Sequence, residues 1–192
     1  MSGMAKAAVF LDRDGTINVE RDYLFRIEDF SFIAGVPQAI RRLNEAGFLV
    51  VVVTNQSGVA RGYYREEDVE RLHAHISHQL ATIGARVDGY YYCPHHPSSG
   101  NAPYVQACDC RKGRPGMLLD AARDLKIDLS RSWMVGDKTA DVDAGLAAGC
   151  TPVLVRSGYG EQEQTKIDPQ QVTVCDDLSA AVDVILDNTA KP

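Results

Sequence analysis

The sequence predicts an α/β protein in which a parallel sheet carries helices on both faces. Short apolar runs alternate with segments of helical period along the chain, the order of repeated βα units. The runs are nearly continuous in apolar and β-branched residues, as expected of strands buried on both sides. Polar side chains and glycines collect directly after several of the runs. That is the carboxyl end of each strand, where open parallel sheets bind their ligands.

Taken in order, the runs at 7–11, 49–53, 88–92, 132–135 and 152–155 predict five strands. Helical patterns near 36–46, 66–83, 115–126, 139–148 and 178–187 predict the crossovers that keep those strands parallel. In the second helix the Ile76, Leu80 and Ile83 spacing is a core stripe. His73, His75 and His78 share that helix without cysteine or carboxylate partners and are expected at solvated positions. Residues 157–171, with several Gly, Glu and Gln, read as a mobile polar loop near the entrance of a site. No interval is long enough for a separate cap domain. Residues 1–192 therefore read as one domain whose site is rimmed by residues 17–34 and by a loop at about 93–112.

Composition sets wider bounds. A chain of 192 residues that is 45% hydrophobic can bury a sizeable core. Its formal net charge of −6 argues against non-specific binding to nucleic acid, which needs Lys and Arg to neutralise phosphates. No apolar run reaches the roughly 18 residues of a membrane span, and nothing reads as an export signal. The expectation is a monomeric, cytoplasmic protein with reduced thiols. Met1–Met4 receive no assignment.

The residues after the first strand, Asp12-Arg13-Asp14-Gly15-Thr16, place two carboxylates two residues apart before a glycine bend. One can attack an electrophile while its neighbour manages protons; an ordinary Asp/Gly/Thr surface turn is the alternative for this motif alone. Strand-like alternation would turn Arg13 away from the ligand. Further along, Val50–Val53 end in Thr54-Asn55-Gln56-Ser57-Gly58, Cys110-Arg111-Lys112 supplies cations, and Trp133–Gly136 run into Asp137-Lys138-Thr139-Ala140-Asp141. Asp12, Thr54 and Asp137 all fall at strand ends, so a single site can collect them.

A second constellation is Cys93-Pro94-His95-His96-Pro97 with Cys108-Asp109-Cys110, two close pairs around a Ser/Gly/Asn/Pro loop. Cys93, His95, Cys108 and Cys110 form a tetrahedral set suited to structural Zn²⁺, with His96 the alternative imidazole. A disulfide competes, but there are five cysteines and the C-x-C spacing is too tight for a relaxed bridge. Zinc would order a loop with few apolar residues and, with it, Arg111 and Lys112. Cys150 and Cys175 read as small buried residues.

Together these segments resemble the motifs of the haloacid dehalogenase (HAD) superfamily, from residue 7 to about residue 156. The resemblance implies a HAD-like Rossmannoid three-layer sandwich and a Mg²⁺-dependent phosphatase working through an aspartyl-phosphate. By position it implies that Asp12 is the nucleophile and a Mg²⁺ ligand, and Asp14 the general acid/base whose backbone carbonyl also reaches the metal. Thr54 then holds a phosphate oxygen, Lys112 is the cation, to which Lys138 could add, and Asp137 is the remaining metal ligand. The chemistry requires such a set, because a phosphate dianion repels an attacking carboxylate unless cations offset both charges. Mg²⁺ in turn prefers hard oxygen ligands. Asp141 lies in a first helical turn, where acidic residues are common for dipole reasons, and is left outside the metal set.

The cysteine loop resembles that of a HAD subgroup acting on sugar bisphosphates or on histidinol phosphate. Thr54–Gly62, Tyr91–Pro97, Pro115–Leu119 and Val19–Tyr23 look like the sugar bisphosphate enzymes. That likeness implies a small-molecule heptose bisphosphate as substrate, in the supply of lipopolysaccharide precursors. Its contacts would be Glu20, Arg21, Asp22, Tyr23, Asn55, Gln56, Ser57, Arg111 and Lys138 besides Thr54 and Lys112, with Arg61 a further candidate. Histidinol-phosphate hydrolysis and a non-catalytic zinc-organised binding module are the alternatives. One departure is Gly113, where the family usually has proline, a change expected to loosen the loop that carries Lys112. Arg114 beside it either compensates or is solvated.

Overall fold

The computed structural model describes residues 5–189; Met1–Met4 lie outside the described residues. Its sheet contains β1 (Ala8–Leu11), β2 (Leu49–Asn55), β3 (Gly89–Cys93), β4 (Trp133–Gly136), β5 (Thr151–Val155) and β6 (Thr173–Cys175). All are parallel, in the order β3-β2-β1-β4-β5-β6. The central strand β1 pairs with β2 on one side (Val9↔Val50) and with β4 on the other (Val9↔Trp133). The strand order therefore reverses beside β1, and a ligand crevice opens beyond its carboxyl end.

The helices are α1 (Val36–Glu45), α2 (Glu66–Ala81), α3 (Gly116–Leu125), α4 (Thr139–Ala148), α5 (Gly160–Glu163) and α6 (Leu178–Thr189). Alternation along β1 and β2 divides the core into two layers. Val9, Leu11, Val50 and Val52 pack with Ile40, Leu43, Ile76 and Val182 of α1, α2 and α6. Ala8, Phe10, Val51 and Val53 pack with Met117, Leu118 and Ala144 of α3 and α4. This is the three-layer sandwich predicted from the βα order.

Two expectations need correction. Among the described residues the sheet has six strands rather than five, because Thr173-Val174-Cys175 is too short and too polar to register as an apolar run, yet it pairs with β5 at the sheet edge (Val153↔Thr173). Within 157–171 the chain forms α5 and a 3₁₀ turn at Gln164–Lys166 instead of a featureless loop. No cap is interposed: only a 3₁₀ turn at Ile27–Asp29 and α1 separate β1 from β2, and neither helix nor strand separates β3 from α3. Among the described residues no helix is long and apolar enough to cross a membrane.

Candidate active site

Asp12 follows β1 directly and donates its N–H to Val135 O at 2.9 Å, which holds it in register with β4. Its Oδ1 is gripped by Lys112 Nζ, which also donates to Val53 O and to Asp141 Oδ1, both at 2.8 Å. Asp137, one residue past β4 and fully buried, accepts the Tyr159 N–H at Oδ2 (2.8 Å). Its Oδ1 is buried without a hydrogen-bond partner. Carboxylate oxygens of Asp12, Asp137 and Asp141 lie within 4.8 Å of one another. Glycines make this approach possible: a Cβ on Gly15 (φ 83°) or Gly158 (φ 61°) would sit 2.2 Å from Asp137 Oδ2.

The cluster is short of positive charge. Burial, then the neighbouring Asp12 and Asp141, push the Asp137 carboxyl up to about 8. Burial raises Asp12 to about 6 against the pull of Lys112. Burial alone would lower Lys112, but Asp12 and Asp141 hold it above the ordinary lysine value. Three buried carboxylates facing one buried ammonium are costly until a further cation joins them. Hard oxygen donors and the unpartnered Asp137 Oδ1 fit Mg²⁺. Both oxygens of Asp141 are already engaged, by Lys112 and by the Lys138 N–H at 3.0 Å. Asp141 thus orients the lysine, a role that its helix-capping position concealed in the sequence.

The Asp14 side chain takes no part in that cluster. It receives Arg13 Nη2 (3.0 and 2.9 Å), Asn18 Nδ2 (3.0 Å) and Gln56 Nε2 (2.9 Å). Burial would raise its pKa, but the Arg13 guanidinium and these hydrogen bonds outweigh that and hold it below the ordinary carboxylate value. Arg13 does point away from the pocket; it is fully buried behind Asp14. Gln56 Nε2 also donates to Thr54 Oγ1 at 2.8 Å, and Tyr64 OH donates to Gln56 Oε1 at 2.7 Å. With its oxygen already accepting, the Thr54 hydroxyl keeps its own proton for a ligand.

Of these groups Asp12, Asp14, Thr54, Gln56, Tyr64, Lys112 and Asp141 line a cavity of about 370 Å³ together with Asn55, Ser57, Arg111, Lys138, Glu20, Asp22 and Tyr23, while Asp137, Arg13 and Asn18 lie behind its wall. The Arg21 side chain is not in its wall, nor is Arg61, which lies 5.9 Å from the Tyr23 ring centroid and 3.5 Å from His96 Nε2. Tyr159 belongs to the site although its segment reads as a polar loop. Its N–H binds Asp137, its hydroxyl donates to Asp22 Oδ1 (3.0 Å), and Lys138 Nζ lies 4.4 Å from its ring centroid. Its place just beyond the carboxyl end of β5 was the available signal.

Beside the cavity the thiols of Cys93, Cys108 and Cys110 lie 3.1–3.5 Å apart, with His95 Nδ1 3.4 Å from Cys110 Sγ. The four ligand atoms fall within 4.8 Å of one another, a size consistent with a tetrahedral Zn²⁺ cage whose edges are roughly 3.5–4 Å. No disulfide joins them. His96 turns away, its Nδ1 accepting the Ser98 and Ser99 N–H groups. Arg111 Nη1 donates to His95 O at 3.1 Å, and Lys112 N donates to Asn55 Oδ1 at 2.9 Å. Gly113 does not loosen this loop: at φ 93° it donates its N–H to Ala140 O at 3.0 Å, which proline could not do. Arg114 pairs with Asp109 on the surface.

A buried aspartate clamped by lysine at the switch point, with a second aspartate two residues on, defines a hydrolase of the HAD class. Residues 109–181 match the HAD-hydrolase-like family model. The chain is 52% identical over 158 residues to the D-glycero-β-D-manno-heptose-1,7-bisphosphate 7-phosphatase of Escherichia coli K12, covering 81% of this chain and 83% of that protein. It is 52% identical over 152 residues to that of Photorhabdus laumondii, covering 79% and 81%. The crystal structure of D,D-heptose 1,7-bisphosphate phosphatase from B. bronchiseptica, complexed with magnesium and phosphate, matches with a TM-score of 0.84 and 36% identity over 95% of this chain and 99% of that one. The chain belongs to the D-glycero-β-D-manno-heptose-1,7-bisphosphate 7-phosphatase family.

Proposed function

We infer that the protein hydrolyses the C7 phosphate of D-glycero-β-D-manno-heptose 1,7-bisphosphate, supplying heptose precursors of lipopolysaccharide. The observation that carries this is Asp12, buried and clamped by Lys112, in one cavity with Asp14 and Thr54. Asp12 attacks phosphorus as the bond to the C7 oxygen breaks, and Asp14 gives its proton to the departing alkoxide. Water then attacks the aspartyl-phosphate while the Asp14 carboxylate takes the proton, releasing phosphate and restoring Asp12. Arg13 favours the base form of Asp14 in the free enzyme; the entering phosphate, a like charge, raises its proton affinity for the first step. The Thr54 hydroxyl and Lys112 hold the phosphoryl oxygens.

Asp12, Asp137 and the Asp14 carbonyl would hold Mg²⁺, which supplies charge to offset the phosphate. Cys93, His95, Cys108 and Cys110 would hold Zn²⁺ in a structural role, since four protein ligands leave no open position. Arg111 and Lys138 face the rest of the substrate, with Glu20, Asp22 and Tyr23 at the rim. The site is complete within one chain, in keeping with a monomer. Reduced thiols fit the cytoplasm, and residues 1–192 act as a single catalytic domain. Phosphate release with Mg²⁺, measured side by side on the heptose bisphosphate and on histidinol phosphate, tests the reading. Preference for histidinol phosphate, or no release from either, overturns it.

A further inference from the structure

His73 was expected in solvent, yet it is 5% exposed. It completes the stripe Val69, Leu72, His73, Ile76, Leu80 on the buried side of α2. Its ring stacks on Tyr90, centroids 4.5 Å apart, with Tyr92 near its edge at 6.0 Å. Packing alone would be served by an apolar residue there. What the imidazole adds is Nε2, 3.4 Å from Arg13 Nη1.

A guanidinium only donates, so Nε2 must be the acceptor and the proton must sit on Nδ1. Arg13 is fully buried, and its other contacts are Asp14 through Nε and Nη2, and Leu24 O through Nη2 at 3.0 Å. Nη1 thus has its side-chain partner on the face away from Asp14. With Nη2 held by Leu24 O and Nη1 by His73, the plane of the fork is fixed. That plane sets the orientation of the Asp14 carboxylate beside Gln56 and Asn18.

We propose that His73 is a positioning residue that acts through Arg13 to hold Asp14 in its working orientation. The proposal rests on the reading of Asp14 as the acid/base. It makes an atom-specific prediction, because glutamine can place an acceptor near Nε2 whereas asparagine reaches only the Nδ1 end. With the heptose bisphosphate and Mg²⁺, His73→Leu and His73→Asn should each lose about 10- to 100-fold in kcat, part of what general acid–base catalysis supplies. KM and Mg²⁺ affinity should stay within about twofold, because neither uniform substrate binding nor the metal set is touched. His73→Gln should recover most of the lost kcat. Wild-type kcat in His73→Leu, equal losses in the Gln and Asn variants, or a loss that appears in KM instead would each overturn the proposal. Should the Leu variant fail to fold, the Gln–Asn difference decides alone. Asp14→Asn, measured in parallel, separates the two levels: if it turns over normally, the assignment of Asp14 itself is what fails.

Discussion

The floor and the wall of the cavity are made rigid in different ways. The floor is Asp12, with Asp137 buried behind it, each one residue past the end of a central strand. Asp12 extends β1, whose four residues are fully buried. Burying side chains of that kind contributes about 1.5–3 kcal/mol each, so these carboxylates inherit their positions from the core. The wall is residues 94–115, which have neither helix nor strand between β3 and α3 and expose Val105. Ordering backbone costs about 1–2 kcal/mol per residue, and little apolar surface there offsets it. Four clustered soft ligands can, since structural zinc binding is worth about 10–16 kcal/mol in small peptides. Lys112 joins the two regions: its backbone belongs to the wall and its ammonium to the floor.

The largest effect should come from the floor alone. Asp12→Asn removes the proposed nucleophile and should lower kcat by on the order of 10⁴-fold or more, as losses of nucleophiles do. Folding should be unimpaired, because a buried charge is removed. Phosphate release and circular dichroism check both parts, and substantial turnover in this variant would break the covalent mechanism. Next comes the joint. Lys112→Ala should cost about 10²–10³-fold in kcat. It should also destabilise the fold by about 3–5 kcal/mol, because Asp12 and Asp141 are left buried without their cation. Calorimetry that finds an unchanged Tm would show the ion pairs to be dispensable.

Damage to the wall should look different. Cys108→Ser with Cys110→Ser should abolish zinc content, lower the Tm and reduce kcat by roughly tenfold, through a misplaced Lys112. The far-UV circular dichroism of the sheet should stay, since no β-strand core residue is lost. Metal analysis with kinetics on the same sample tests this. Full activity in a zinc-free variant would mean that the Asn55 and Ala140 hydrogen bonds hold the wall unaided.

The floor was also the more legible of the two regions. A strand of 0% exposed residues announces itself as an apolar run, and Asp-x-Asp-Gly at its end admits few readings. What stayed hidden were contacts between residues distant in sequence. Asp141 looks like a dipole-driven helix residue until Lys112 is seen against it, and Tyr159 looks like loop until its N–H meets Asp137. By residue type His73 reads as solvated, but the i, i+3, i+4, i+7 pattern from Val69 includes it and sets it on the buried stripe. Gly113 reads as a source of looseness from glycine's freedom alone, whereas its positive φ allows a hydrogen bond to Ala140 O. The edge strand β6 leaves no mark in the sequence, because three residues carry too little periodicity.

The smallest expected effect separates floor from wall by pH. In the zinc-loaded protein without Mg²⁺, the folded state holds the Asp137 proton up to about pH 8 and the Asp12 proton up to about pH 6, against an ordinary value of 3.8. A folded pKa above the unfolded one means that folding takes up protons, so stability is gained as pH falls through 8 and absent above it. His73 runs the other way: folding lowers it to about 3 from 6.5, so acid below pH 6.5 favours the unfolded chain. Between pH 9 and 7 the cysteine thiols also titrate, Cys150 from an ordinary value of 9 and any zinc-bound thiols by releasing protons to the metal. Asp137 is therefore isolated by difference: the Tm of the protein minus that of Asp137→Asn should rise by a few degrees as the pH falls across the window. Saturating Mg²⁺ replaces the proton at the same carboxylates and should raise the Tm most at pH 9, flattening the slope. A Tm difference that is level from pH 9 to 7 without Mg²⁺, or a slope that Mg²⁺ leaves unchanged, would show that the floor carboxylates are not the groups whose charge the metal offsets.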